Sequence, residues 1–178
     1  MKNIWKIYFT QFLTLLVLAS CSSGKKMLEQ GNYYTAVIKS VERLRSSPGN
    51  KKAIQTLKQA YPLAREVSLT NINNLRSSNN PFQWTETVYA YNRLNNLYEE
   101  IQRSPAAKEV VPSPSNYYQF LEGAKSNAAN EQYQAGLTAL NTNTRDGAKR
   151  AYFHFLDADG FFQGYQDVKE KIDQARYA

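Results

Sequence analysis

Residues 33–61 read YYTAVIKSVERLRSSPGNKKAIQTLKQAY, and this stretch decides the fold. Val37, Val41 and Leu44 recur at steps of four and three, which stacks them on one side of an α-helix; a half-buried strand would need alternation at every second residue. Pro48-Gly49-Asn50 ends that helix, because proline offers no backbone N–H and glycine and asparagine favour a turn. From Lys51 the same steps return at Ile54, Leu57 and Tyr61, which predicts a second helix. Two amphipathic helices joined by a short turn bury their apolar faces most readily against each other.

This pair resembles the junction between two tetratricopeptide repeats. In that family a small residue on the second helix of a unit lets the helices pack closely, and a proline twelve positions later closes the unit. Ala36 and Pro48 stand at that spacing, and Ile54, Leu57 and Tyr61 match the large apolar fourth, seventh and eleventh positions of the next unit. A second unit resembles the family at Gly136, Ala148, Tyr152 and Phe155, with Asn141 to Thr144 as its turn and Asp159-Gly160 in place of the closing proline. The resemblance covers about 26–62 and 129–165 and is degenerate over 63–128. It implies an all-α fold, a short tetratricopeptide-like helical array (an α-solenoid), and no enzymatic activity. It also implies a concave groove lined by the first helix of each unit. By position, Lys52, Gln55 and Gln59 would face the groove in one unit, and Asn130 and Tyr133 in the other.

Outward from these units the helical period continues. Pro62 is expected to break or kink the helix near Tyr61, although Ala64, Val67, Ile72 and Leu75 extend an apolar stripe to the loop signal Ser77-Ser78-Asn79-Asn80-Pro81. A helix follows from about Pro81 to Arg103, with Trp84, Val88, Tyr91, Leu94, Tyr98 and Ile101 on one face. Ser104 to Ser115 holds three of the six prolines and reads as an ordered loop with a helical turn. Asn116 to Asn141 predicts a long helix, and Tyr165 to Tyr177 a last one through Val168, Ile172 and Ala175. The apolar face of that last helix needs cover. The expectation is that it packs back on the preceding pair as a cap; the alternative is that the protein continues beyond Ala178.

The other end of the chain is built differently. Lys2 and Lys6 precede the uncharged apolar run Ile7 to Leu18, about 12 residues long, which is signal-peptide length and short of the roughly 20 needed to span a bilayer. Leu18-Ala19-Ser20-Cys21 then resembles a lipobox: a branched apolar residue, two small ones, and a cysteine. The expectation is cleavage between Ser20 and Cys21, with lipid attached to Cys21. The chain then divides into a signal peptide (1–20), a lipidated flexible tether (21–25) opening on Ser22-Ser23-Gly24, and a helical domain (26–178). The layout is similar to that of Bacteroidetes-type helical lipoproteins. By resemblance to lipoproteins, Ser22 after the cysteine implies the outer membrane, and the lack of an acidic cluster there implies its periplasmic face.

Composition narrows the function further. An apolar share of 42% and an aromatic share of 13%, with 13 tyrosines, suit a folded chain of 178 residues. Beyond the leader, 20 of the 22 basic residues face 15 acidic ones, and this mild excess is scattered along the chain. Nucleic-acid binders concentrate such charge, so nucleic acid is not an expected partner. One cysteine cannot form an intrachain disulfide. The one histidine, His154, lies between Phe153 and Phe155 without partners for a zinc site or a nucleophile elbow. Asp157-Ala158-Asp159-Gly160 lacks the later ligands of a calcium loop, and Glu99-Glu100 are helix neighbours that point apart. No catalytic residue, metal or cofactor is expected. The expected role is a membrane-anchored envelope lipoprotein that binds another envelope protein or peptide. The alternative is a cell-wall or carbohydrate-binding lipoprotein that stacks sugars on outward aromatics such as Tyr34, Trp84 or Tyr118.

Overall fold

The computed structural model describes residues 23–178; the leader, the cleavage site at Ser20–Cys21 and the lipidation site Cys21 lie outside the described residues. Every regular element described is a helix: α1 (Gly24–Glu29), α2 (Tyr33–Ser46), α3 (Lys51–Arg76), α4 (Gln83–Gln102), α5 (Pro105–Val110), α6 (Tyr118–Leu140), α7 (Arg145–Phe161) and α8 (Val168–Tyr177). Five of them start on a side chain that accepts the N–H three residues on: Ser23 for α1, Asn32 for α2, Asn50 for α3, Ser104 for α5 and Thr144 for α7. Such a cap satisfies one of the backbone donors left free at a helix start. The α2–α3 turn therefore falls at Ser47 to Asn50, where the Pro-Gly-Asn signal puts it.

The strongest helix pairings are α6 with α7, α2 with α3, α4 with α6 and α7 with α8; all but α4 with α6, which are separated by the short α5, join consecutive helices. Three apolar clusters follow one another along this order. The first gathers Val37, Val41, Leu44, Leu57 and Ile101 from α2, α3 and α4, closed by Ala107 of α5. The second joins Ile72 of α3, Val88, Tyr91 and Leu94 of α4, and Leu121 and Ala128 of α6. The third joins Tyr133 of α6, Ala151 and Phe155 of α7, and Val168 and Ile172 of α8. Val168 is fully buried, so α8 does pack its apolar face back on the preceding helices.

Three local expectations are corrected. Pro62 does not end its helix: α3 runs unbroken for 26 residues. Pro62 and Lys58, whose carbonyl loses its N–H partner, are both exposed, while Leu57, Ala60 and Ala64 are buried on the other face. Water can serve the orphaned carbonyl, and packing on both sides of the proline holds the helix together. Asp159-Gly160 does not close α7, which continues to Phe161; Asp159 instead accepts the N–H of Gly164 at 2.7 Å, just past the helix end. Of the 21–25 stretch read as a flexible tether, residues 21 and 22 lie outside the described residues, and 23–25 are not flexible chain but the start of a helix. Ser23 caps α1, and Gly24 and Lys25 are its first turn. A Cβ on Gly24 would lie 2.7 Å from Ser40 Oγ and 3.0 Å from the Ala36 carbonyl. Glycine is what lets α1 seat on α2.

Candidate functional site

That seating builds a cleft at the amino-terminal end of the body. Its walls are the start of α1, the second half of α2 and the first turns of α3, and it encloses about 620 Å³. Lys39 and Arg43 lie four residues apart on α2 and so share a face; Lys25 of α1 and Lys52 of α3 approach from either side. Ser46 and Asn50 add polar groups at the α2–α3 turn, and Glu42 is the one carboxylate of the lining. Lys25 pairs with Glu29 at 3.5 Å, both side chains more than 60% exposed, a contact that water largely screens. Lys39, Arg43 and Lys52 have no ion-pair partner among the described residues.

The predicted groove residues divide. Lys52, Gln55 and Gln59 are all exposed on the first half of α3, and Lys52 belongs to the cleft. Asn130 is exposed on α6 and accepts the Tyr165 hydroxyl at 3.1 Å. Tyr133 is not a surface residue: it is 5% exposed, its ring meets Phe155 and Tyr165, and its hydroxyl donates to Asp167. That bond is the largest cause of a phenol pKa pushed up to about 12, with burial second. The α3 residues flank the first cluster and Tyr133 is part of the third, so the fold does not bring the two sets together. Helical position gives the angle of a residue around its axis, but not which neighbour covers that angle.

The aromatic candidates are also partly occupied. Arg93 lies 4.4 Å over the Tyr34 ring, whose hydroxyl donates to Asn96, and Arg76 lies 5.4 Å over Trp84. Burial pushes the Tyr34 phenol up against the opposing pull of Arg93. Tyr118 is 41% exposed, edge-on to Tyr98, and donates to Glu99 at 2.9 Å. Among adjacent aromatic pairs, Tyr117-Tyr118 and Phe161-Phe162 each have one exposed ring, whereas Tyr33 and Tyr34 are both half-buried.

His154 belongs to a polar seam between α4, α6 and α7. Its Nδ1 lies 2.8 Å from Gln132 Oε1, Gln132 donates to Thr85 Oγ1 at 3.2 Å, and the imidazole stacks on Phe82. Beside it the Glu131 carboxylate accepts the backbone N–H groups of Trp84 and Thr85. Burial raises the Glu131 pKa, and those donors oppose the rise. His154 Nδ1, Gln132, Thr85 Oγ1 and the Glu131 carboxylate are thus each engaged by a structural partner. Among the described residues no group of three or more His, Cys, Asp or Glu side chains could hold a metal ion, and no helix is long and apolar enough to cross a membrane.

Sequence reasoning missed the cleft as a unit. The spacing of Lys39 and Arg43 was a legible signal, but the approach of Lys25 and Lys52 depends on how α1 and α3 seat on α2. No protein-family model, curated protein or solved structure matches this chain.

Proposed function

We propose that this protein is an envelope lipoprotein, anchored through lipid on Cys21, that acts as a non-enzymatic protein–protein interaction scaffold. The observation that carries the reading is the run Leu18-Ala19-Ser20-Cys21, placed directly after a charged and apolar leader and two residues before the helical body begins. Small residues before the cysteine suit a narrow peptidase site, and the thiol supplies the atom to be alkylated. More than one acyl chain, each methylene contributing about 0.8 kcal/mol, makes such an anchor durable.

The scaffold half of the proposal draws on the tetratricopeptide-like spacing and on helices that pack chiefly on their sequence neighbours. In a repeat array of this kind the surface is pre-formed, so a bound segment meets a receptor with little left to order. The exposed residues Lys52, Gln55 and Gln59 form the recognition stripe of this reading, and the outer membrane facing the periplasm is its setting. Of the three aromatics named for the glycan alternative, Tyr118 is the one without a guanidinium over its ring, since Arg93 and Arg76 stand over Tyr34 and Trp84.

Detergent phase partition of the parent chain and of Cys21→Ser tests the anchor. The parent is expected in the detergent phase and the variant in the aqueous phase; equal partition of both overturns it. Crosslinking in cells with a Lys52→Glu, Gln55→Glu, Gln59→Glu chain tests the scaffold. The expected result is loss of one specific crosslinked protein, and an unchanged set overturns the stripe.

A further inference from the structure

We infer that the cleft between α1, α2 and α3 binds the phosphate of an anionic phospholipid headgroup in the bilayer that holds Cys21. The inference rests on the anchoring proposal and adds a second, non-covalent contact to it. Two observations carry it: where the cleft is, and what charge it bears.

Position comes first. Ser23 and Gly24 line the cleft and are already structured as the cap and first turn of α1. Cys21 stands two residues before Ser23, and two residues of chain reach at most about 7 Å. Within that reach, a lipidated Cys21 keeps the mouth of the cleft near headgroup level. The seating of α1 on α2 through Gly24 holds Ser23, the start of that short connection, on the body beside the cleft.

Charge is the second observation. Lys25, Lys39, Arg43 and Lys52 surround the cavity, against the single carboxylate of Glu42. Three of the four cations have no internal partner among the described residues, so their charge is available to a ligand. Arg43 offers a planar fork suited to two phosphate oxygens, and Lys39 and Lys52 offer point charges. Ser46, whose Oγ donates to the Arg43 carbonyl, and Asn50, whose Oδ1 caps α3, still offer a lone pair and an amide N–H group to the glycerol part. A volume of about 620 Å³ suits a headgroup, not a folded partner. Basic groups close to an anionic leaflet gain from its surface potential over about one Debye length, which the short connection satisfies.

Native mass spectrometry of the full chain, extracted as the cell makes it in a neutral detergent, tests the inference. Phosphatidylglycerol and phosphatidylcholine of matched chain length are added in turn, then inorganic phosphate as competitor. One phosphatidylglycerol is expected to be retained about 10-fold more than phosphatidylcholine. Lys39→Glu/Arg43→Glu/Lys52→Glu should lower that retention to the phosphatidylcholine level, and Glu42→Gln should raise it. A control with Lys58→Glu/Lys108→Glu/Lys169→Glu, three exposed cations outside the cleft, should retain the lipid as the parent does. Equal retention of the two lipids, loss in the control as large as in the cleft variant, or no loss in the cleft variant overturns the inference. So does displacement by inorganic phosphate at equal concentration, which assigns the site to a soluble anion. Circular dichroism of the cleft variant must match the parent; if it is unfolded, the rise with Glu42→Gln decides, and its absence overturns the inference. The same spectra weigh the amino terminus, so an unacylated chain overturns the anchor separately from the headgroup site.

Discussion

The backbone N–H of Trp84, in the first turn of α4, donates to the carboxylate of Glu131 on α6 at 2.9 Å. The relationship is reciprocal between the two helices. At the start of α6 the N–H of Tyr117 donates to Asn95 of α4 at 2.6 Å. Both helices begin on aromatic residues, Phe82 and Tyr117, whose side chains form no cap hydrogen bond. Each helix thus supplies from its interior a polar acceptor for the start of the other, which couples formation of the two elements to their packing.

Glu131→Ala is therefore expected to destabilise the protein by about 1–2 kcal/mol, in the range of a lost helix cap. Glu131→Gln, which keeps one acceptor oxygen, should lose less. Urea unfolding followed by circular dichroism measures both. If Glu131→Ala unfolds at the parent's midpoint, the remote cap contributes nothing.

A paired glycine experiment tests how closely α6 meets α7. A Cβ on Gly136 would come 2.5 Å from Cε1 of Phe155, a fully buried ring with no room to withdraw, whereas a Cβ on Gly123 meets nothing within 4 Å. Gly123→Ala should stabilise by up to about 1 kcal/mol through helix propensity. Gly136→Ala gains the same propensity but overpacks the core at a cost of about 1–3 kcal/mol, so it should lower the melting temperature. Shifts of the same sign and size would mean that Phe155 yields.

Pro62 offers a stabilising change. Replacing it with Ala restores an N–H donor inside α3 and removes the ring clash, a gain of up to about 3 kcal/mol in an exposed helix interior. The freer unfolded chain takes back about 1 kcal/mol. A net rise of about 1–2 kcal/mol in unfolding free energy is expected. A fall would show that the packing of Leu57 and Ala64 depends on the shape that proline imposes there.

Tyr133 sets an alkaline limit. Its phenol titrates at about 12 in the folded chain against an ordinary 10.0, because Asp167 accepts its hydrogen and the ring is buried. A raised folded pKa means the contribution is complete below about pH 10 and lost as pH rises through about 12. Tyr133→Phe should cost about 1–2 kcal/mol at neutral pH. Its deficit relative to the parent should shrink above pH 10. A deficit that is constant from pH 8 to 11.5 in unfolding titrations contradicts the role of Asp167.

Much of the helix map was legible in residue order alone. Asn50 before Lys51 marks the start of α3, because capping acts over three or four residues, and the family resemblance singled out Gly136 and Phe155, which meet between α6 and α7. Pro62 was misread for the same reason: its local cost was visible, but the packing of Leu57, Ala60 and Ala64 that overrides it was not. Tyr133 was misread because the side of α6 that it occupies is covered by Tyr165 and Asp167, more than thirty residues on.

Local order by itself determined that the described body is helical and where most helices begin and end. It placed much of each inward face, although it set Val67 inside, where it is 54% exposed, and Tyr133 in a groove, where it is buried. Those outcomes depend on backbone hydrogen bonds and on side-chain spacing within a turn or two. Only the tertiary structure decided that Glu131 and Asn95 cap each other's helices, that Gly24 joins the body, and that Lys25, Lys39, Arg43 and Lys52 surround one cleft. These depend on how helices seat against each other in three dimensions, and that is set by the shape of the buried surfaces more than by the distance between residues along the chain.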